Sequence, residues 1–245
     1  MTIHDRSFRD YYDDLYRDSI QLNPAYQIYD RLRVQHICKL ARTAYGKCLI
    51  IGCGNRQDFL ASPLQDIFAF DLSWEAVRKI HSKTVKVWTA DALSIPLPAG
   101  QFGLVICSEV LEHIPDIRSA VCEMHRVITR DGILIVSSPN WHSWFGLFRW
   151  VGEKISRKPL HSDDQPYDDW KTLARYKKEL WPEFEVEEAR GVWYLPPLHY
   201  HGRGVPGWLM KAIYWFHAPF EALFSRLFPF WGHLIVLRCK PRMLG

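Results

Sequence analysis

The chain of 245 residues contains no Cys-x-x-Cys pair; its six cysteines stand singly at positions 38, 48, 53, 107, 122 and 239. That removes the usual spacing of a metal clip or a dithiol redox site. Cys48, Cys107 and Cys239 fall inside apolar runs, where a thiol behaves as a small hydrophobe. Met1 to Asp18 is polar and charged, unlike the apolar core of a secretory signal. Together these absences set the expectation of a reducing cytoplasm and no disulfide framework. No run approaches the roughly 20 clean apolar residues that a spanning helix needs. Internal repeats and low-complexity tracts are also missing, which excludes a solenoid or a long disordered linker.

What is present is apolar and aromatic. Hydrophobic residues make up 48% of the chain, and there are eleven tryptophans. Such a composition builds a large core or an aromatic-rich pocket. The net charge of +4 is unevenly placed. After His201 the cations are Arg203, Lys211, Arg226, Arg238, Lys240 and Arg242, Glu221 is the sole acid, and nine aromatic residues stand among them. The length suits one α/β domain with insertions.

The sharpest pattern is Cys48-Leu49-Ile50-Ile51-Gly52-Cys53-Gly54-Asn55, followed 19 positions after Gly52 by Asp71, which ends Phe68-Ala69-Phe70. An apolar strand runs into a glycine turn, and a second strand ends on a carboxylate. Open α/β sheets hold adenosine-type ligands this way: glycines admit the ligand to the backbone, and the acid accepts from ribose hydroxyls. The third glycine of a dinucleotide fingerprint is replaced by Gln57. That glycine serves tight packing under a pyrophosphate, so a ligand lacking one, such as S-adenosylmethionine, fits better.

The pattern continues in order. Val85 to Ala92 reads as a third strand ending in Asp91, placed to accept from an adenine amine. Gln101 to Ser108 is a fourth strand. Ile117, Ala120, Val121, Met124, Val127 and Ile128 mark a helix, expected to end at Asp131-Gly132. Ile133 to Asn140 is a fifth strand. With the Gly52-Cys53-Gly54 turn, Asp71, Asp91-Ala92, Ser108 to Asp116 and Asp131 to Asn140, the chain resembles the class I S-adenosylmethionine-dependent methyltransferases, of the type 11 and ubiquinone-biosynthesis-like group. The likeness covers roughly residues 46 to 140. It implies a Rossmann-like, doubly wound, seven-stranded and mostly parallel sheet with an antiparallel last strand, N-terminal helices and a helical insertion before that strand. It implies S-adenosylmethionine as cofactor and S-adenosylhomocysteine as product. It makes Gly52, Cys53, Gly54, Asp71, Leu72, Asp91, Ala92, Ser108 and Tyr11 the candidate cofactor residues. Two positions depart from the family pattern: Ile50 stands where an acid is frequent, and Asn55-Arg56 where a small residue is frequent. Arg56 is a candidate for the methionine carboxylate.

The organisation divides into a helical cap over 1–45, a cofactor-binding α/β domain over 46–200 and 232–245, and an apolar insertion over 201–231. Within the cap, Tyr11, Tyr12, Leu15 and Tyr16 share helical spacing, and a second helix runs from about Ala25 to Tyr45. Ser73 is placed to cap the helix after Asp71, with Glu75 in its first turn. Phe184 to Val192 alternates as a sixth strand, and Leu234 to Cys239 is the seventh. The long connection between them exceeds a hairpin's needs. It reads as two short helices, Pro206 to His217 and Pro219 to Leu227. Trp208 to Phe216 has almost no polar side. Three roles fit: a lid on an apolar acceptor pocket, a cap against the sheet or a second subunit in a homodimer, or an interfacial contact with a membrane over 205–231.

Methyl transfer to oxygen needs a base for the acceptor's proton. His113, Glu109 and Glu112 are the catalytic candidates, expected on one face of a helix at i, i+3 and i+4. No metal is assigned. His142, His199, Tyr200, His201 and Trp208 are candidate acceptor contacts. The expected activity is methyl transfer to a small, fairly apolar acceptor, a lipid, quinone or natural product, with oxygen favoured. RNA methylation and a non-catalytic partner role are the rivals. The Asn/Asp-Pro-Pro-aromatic run of amino methylases is missing, and the cations after His201 are too sparse for a phosphate-tracking stripe.

Overall fold

A computed structural model describes residues 3–17, 24–54, 62–157, 166–196, 199–200 and 203–243. The strands are β1 (Lys47–Ile51), β2 (Ile67–Asp71), β3 (Val85–Thr89), β4 (Phe102–Ser108), β5 (Ile128–Pro139), β6 (Phe184–Val192), the short pair β7 (His199–Tyr200) and β8 (Arg203–Gly204), and β9 (Leu234–Pro241). The helices are α1 (Ile3–Arg17), α2 (Pro24–Ala41), α3 (Trp74–Val77), α4 (Ile117–Val127), α5 (Trp144–Ser156), α6 (Leu173–Leu180) and α7 (Gly207–Leu227). Seven strands form one sheet in the order β3-β2-β1-β4-β5-β9-β6. The first five run parallel, and β9 lies antiparallel between β5 and β6. This is the expected doubly wound arrangement with its antiparallel last strand.

The strands form where the sequence is continuously apolar, because both sheet faces are covered. β4 is buried along its whole length. On one face lie α4 and α6, with Val121, Met124, Tyr176 and Leu180 against Leu49, Val105 and Leu134. On the other lies α2, with Ile37 and Leu40 among Cys48, Ile50, Leu104 and Ile106. α2 is thus a layer of the domain, whereas α1 reaches α3 and the first turn of the sheet. The strand order reverses between β1 and β4, which opens a crevice at their C-terminal ends.

Local capping follows the sequence. Ser73 Oγ accepts from Ala76 N at 3.1 Å, Asp116 Oδ1 from Ser119 N at 3.1 Å, and Ser143 Oγ from Gly146 N at 3.1 Å.

Two local expectations are corrected. α4 stops at Val127, not at Asp131-Gly132, and Ile128 already belongs to β5. Pairing of Ile128 with Phe102 draws that segment into the sheet ahead of a register shift. Residues 207–227 form one helix with Pro219 inside it, not two. Proline removes one ladder bond and bends a helix. Here tertiary contacts hold both halves: Tyr214 stacks on Trp193, and Phe224 meets Tyr194.

Candidate functional site

The first βα turn has the geometry its glycines imply. Gly52 has φ +66°, and a Cβ there would lie 2.3 Å from Val110 Cγ2. Gly54 has φ +53°, and its Cβ would lie 2.7 Å from the Tyr16 hydroxyl. Backbone and neighbours approach where only glycine fits. Cys53 N donates to Phe70 O at 3.0 Å, tying the turn to β2. Asp71 ends β2 against that turn: Gly54 N donates to Oδ2 at 2.8 Å and Ser73 N to Oδ1 at 2.9 Å. Burial raises the Asp71 carboxyl, opposed by the N–H groups of Ser73, Gly54 and Leu72. Each carboxylate oxygen keeps accepting capacity beyond those bonds. At the end of β3, Asp91 Oδ1 accepts from Leu93 N at 2.9 Å, and Ala92 is buried beside it. Asn55 and Arg56 lie outside the described residues.

α1 closes this crevice. Asp13 Oδ1 accepts from Ser73 Oγ at 2.6 Å and from Glu75 N at 3.1 Å, and Lys79 Nζ donates to the Arg17 carbonyl at 2.8 Å. This anchors α1, with Tyr16 against the turn at Gly54. Tyr11 and Tyr12 meet edge to face at 5.2 Å, and Tyr12 lies 6.1 Å from the His113 ring. The Tyr12 hydroxyl is buried and has no hydrogen-bond partner among the described residues. Burial leads the causes that push its pKa far up, with Glu112 next. An orphaned hydroxyl on the helix whose Tyr16 packs at a Cβ-free turn, together with the accepting Asp71 carboxylate, suits a polar nucleoside ligand.

The residues expected on the acceptor side follow β4 and β5. Glu109, Glu112 and His113 do not share a helical face. Glu109 takes a left-handed step at φ +55°, and Leu111–His113 is a single 3-10 turn. That step turns Glu109 toward α2: the Tyr29 hydroxyl donates to its Oε1 at 3.0 Å, and Arg33 Nε lies at 3.5 Å. Strained backbone of this kind persists where the surroundings over-determine it. Arg33 is fully buried and also binds Asp30 at 2.7 Å and the Ser108 hydroxyl. Ser108 in turn meets Ser137 at 2.7 Å, so its side chain joins a buried seam between β4 and β5.

Glu112 turns inward. Ser138 Oγ donates to its Oε2 at 2.6 Å and also meets the Tyr176 hydroxyl at 2.7 Å. Burial raises its carboxyl from 4.5 to about 7. The folded state therefore holds this proton more tightly than the unfolded chain does. Stability present below about pH 4.5 is lost as pH rises toward 7. In Glu112→Gln that loss vanishes. The variant is expected to gain roughly 3 kcal/mol on the wild type between about pH 4.5 and 8. Parallel melting-temperature curves against pH would contradict it.

His113 Nδ1 lies 3.2 Å from the Tyr167 carbonyl, which can only accept. Nδ1 therefore carries the proton, and Nε2, 4.0 Å from Glu112 Oε1, is the basic nitrogen. On the Glu109 side, His233 stacks on Phe145 at 3.9 Å and lies 5.5 Å from both Tyr29 and Trp170. Burial lowers His233 to about 4, so it is neutral. Tyr29, Arg33, Phe145, Trp170 and His233 were not singled out from the sequence. The Asp30–Arg33 pair at i, i+3 is the one local hint among them.

His142 is exposed and lines an open groove of about 620 Å³ with Trp141, Leu147, Trp150, Phe230 and Trp231. His199 and Tyr200 pair with Gly204 and Arg203 through the backbone, and their side chains lie outside the described residues, as does His201. Trp208 is 72% exposed in the first turn of α7. Among the described residues, no three His, Cys, Asp or Glu side chains gather to hold a metal ion.

A family model described as a methyltransferase domain matches residues 49–136. A ubiquinone biosynthesis O-methyltransferase of Pseudomonas aeruginosa (strain UCBPP-PA14) is 30% identical over 178 residues, covering 67% of this chain and 75% of that protein. One of Thiobacillus denitrificans is 28% identical over 189 residues, covering 72% and 80%. The fold matches a geranyl diphosphate C-methyltransferase from Streptomyces coelicolor, solved with S-adenosyl-L-homocysteine, with a TM-score of 0.61 at 10% identity over 98% of this chain and 99% of that one. The glycine turn, the acid closing β2, the sheet order and these likenesses agree: the chain belongs to the class I S-adenosylmethionine-dependent methyltransferases.

Proposed function

We propose that this enzyme methylates an oxygen of a small, fairly apolar acceptor, with His113 taking the acceptor's proton. The observation that carries the reading is the 3.2 Å contact of His113 Nδ1 with the Tyr167 carbonyl, which favours the proton on Nδ1 and leaves Nε2 to act as the base. S-Adenosylmethionine supplies an already activated methyl group, so the protein's task is to position and deprotonate the acceptor. Gly52, Gly54 and Asp71 would hold the nucleoside, with Asp91 toward the adenine and Tyr11 and Tyr12 covering it. Tyr29, Phe145, Trp170 and His233 give the acceptor an aromatic wall, and Glu109 with Arg33 orients its polar end. The two sequence relatives named above are O-methyltransferases by name, which supports oxygen, while the C-methyltransferase shares the fold alone.

The test is transfer of labelled methyl from S-adenosylmethionine to matched phenol, aniline and thiophenol acceptors. Label on the phenol oxygen is expected. Transfer confined to the aniline or thiophenol, or to an acceptor carbon, would overturn the assignment to oxygen.

A further inference from the structure

Two helices leave large apolar faces uncovered. On α7, Met210, Glu221 and Ser225 are buried on the inner side, and Glu221 accepts from the Trp193 and Tyr194 N–H groups at 2.6 and 3.3 Å. On the opposite side Trp215 and Phe216 are 72% and 71% exposed, with Phe220, Leu223 and Leu227 beside them. On α5, Leu147, Phe148, Trp150 and Ile155 are exposed. Ring contacts run from Phe220 through Phe224 and Phe228 to Phe230, at 6.2, 5.6 and 6.1 Å. Phe230 and Trp231 then share the groove with Leu147 and Trp150. The two faces are therefore one continuous surface. A monomeric protein rarely exposes apolar patches beyond a few hundred Å².

The charges on this surface have one sign. Lys154, Lys211 and Arg226 are exposed, and none has an acidic partner among the described residues. The acids of the two helices point elsewhere: Glu221 is buried, and Glu153 is half-buried and pairs with Arg149 at 3.1 Å. No helix is long and apolar enough to cross a membrane among the described residues. Aromatic and aliphatic side chains flanked only by cations suit a helix lying in the plane of an anionic bilayer.

We propose that α5 and α7 dock the enzyme on an anionic membrane surface, Trp150, Trp215 and Phe216 entering the headgroup boundary and Lys154, Lys211 and Arg226 meeting lipid phosphates. The groove between Trp150 and Trp231 runs to His142, three residues past the end of β5. Docking does not depend on which atom is methylated.

The experiment is sedimentation of the full chain with vesicles of phosphatidylcholine alone and of phosphatidylcholine mixed with phosphatidylglycerol. Binding to the anionic vesicles is expected, weaker on the neutral ones and in high salt. The double variant W215E/F216E should lose vesicle binding by more than about a hundredfold, and K211A/R226A by roughly thirtyfold. Both should keep wild-type S-adenosylmethionine affinity by calorimetry, which reports that they fold. Absence of binding to anionic vesicles, or W215E/F216E sedimenting like wild type, would overturn the proposal. So would a vesicle-independent dimer that W215E/F216E dissolves, because the face would then belong to a second copy.

Discussion

His113→Gln is expected to lower kcat for a phenolic acceptor by about 10² or more, with S-adenosylmethionine affinity unchanged. General-base catalysis is worth about 10²–10⁴-fold where the proton must leave in the transition state. Glutamine keeps a polar group of similar reach but has no basic nitrogen. The Tyr167 carbonyl at 3.2 Å and the 3-10 turn of residues 111–113 do not depend on an imidazole, so the fold should persist. An acceptor with a strongly acidic hydroxyl provides the control. It is already ionised at neutral pH, and its methylation should be far less sensitive to the substitution. Equal losses for ionised and un-ionised acceptors would assign His113 to positioning. A kcat within about threefold of wild type on the un-ionised phenol would remove it from proton transfer.

Asp71→Ala should weaken S-adenosylmethionine binding by roughly 10–100-fold, about 1.5–3 kcal/mol of charge-assisted hydrogen bonding. The carboxylate also accepts from the Gly54 and Ser73 N–H groups at 2.8 and 2.9 Å, so its loss loosens the glycine turn as well. Asp71→Asn separates these effects. Its carbonyl oxygen can still accept one backbone bond, while the charge proposed to face the sugar is gone. Intermediate affinity by calorimetry is expected for Asn and the larger loss for Ala. Wild-type affinity in both variants would show that the ribose is held elsewhere.

The cofactor half was legible because its signals are local. An apolar run, two glycines and a carboxylate 19 positions on suffice to specify β1, the turn and the end of β2. The alternation from Phe184 to Val192 likewise marks β6 at its observed bounds. Where a local signal competed with sheet pairing it misled. Asp131-Gly132 looks like a helix terminus, yet lies inside β5 because Ile128 already pairs with Phe102. Pro219 looks like a helix break, yet α7 runs through it under contacts to β6. The Glu109–His113 run looks like one helical face, yet the left-handed step at Glu109 sends neighbouring side chains in opposite directions.

The sequence by itself determined the nucleotide-type crevice and the methyltransferase family, since each element there is built within a short stretch of chain. The tertiary structure alone decided the cluster proposed as the acceptor wall, because Tyr29 and Arg33 on α2 meet Phe145, Trp170 and His233 from three other segments that no spacing connects to them. It also decided which side of α7 is free. That helix is apolar almost all round, and only the packing of its Glu221 side against β6 shows that Trp215 and Phe216 face outward.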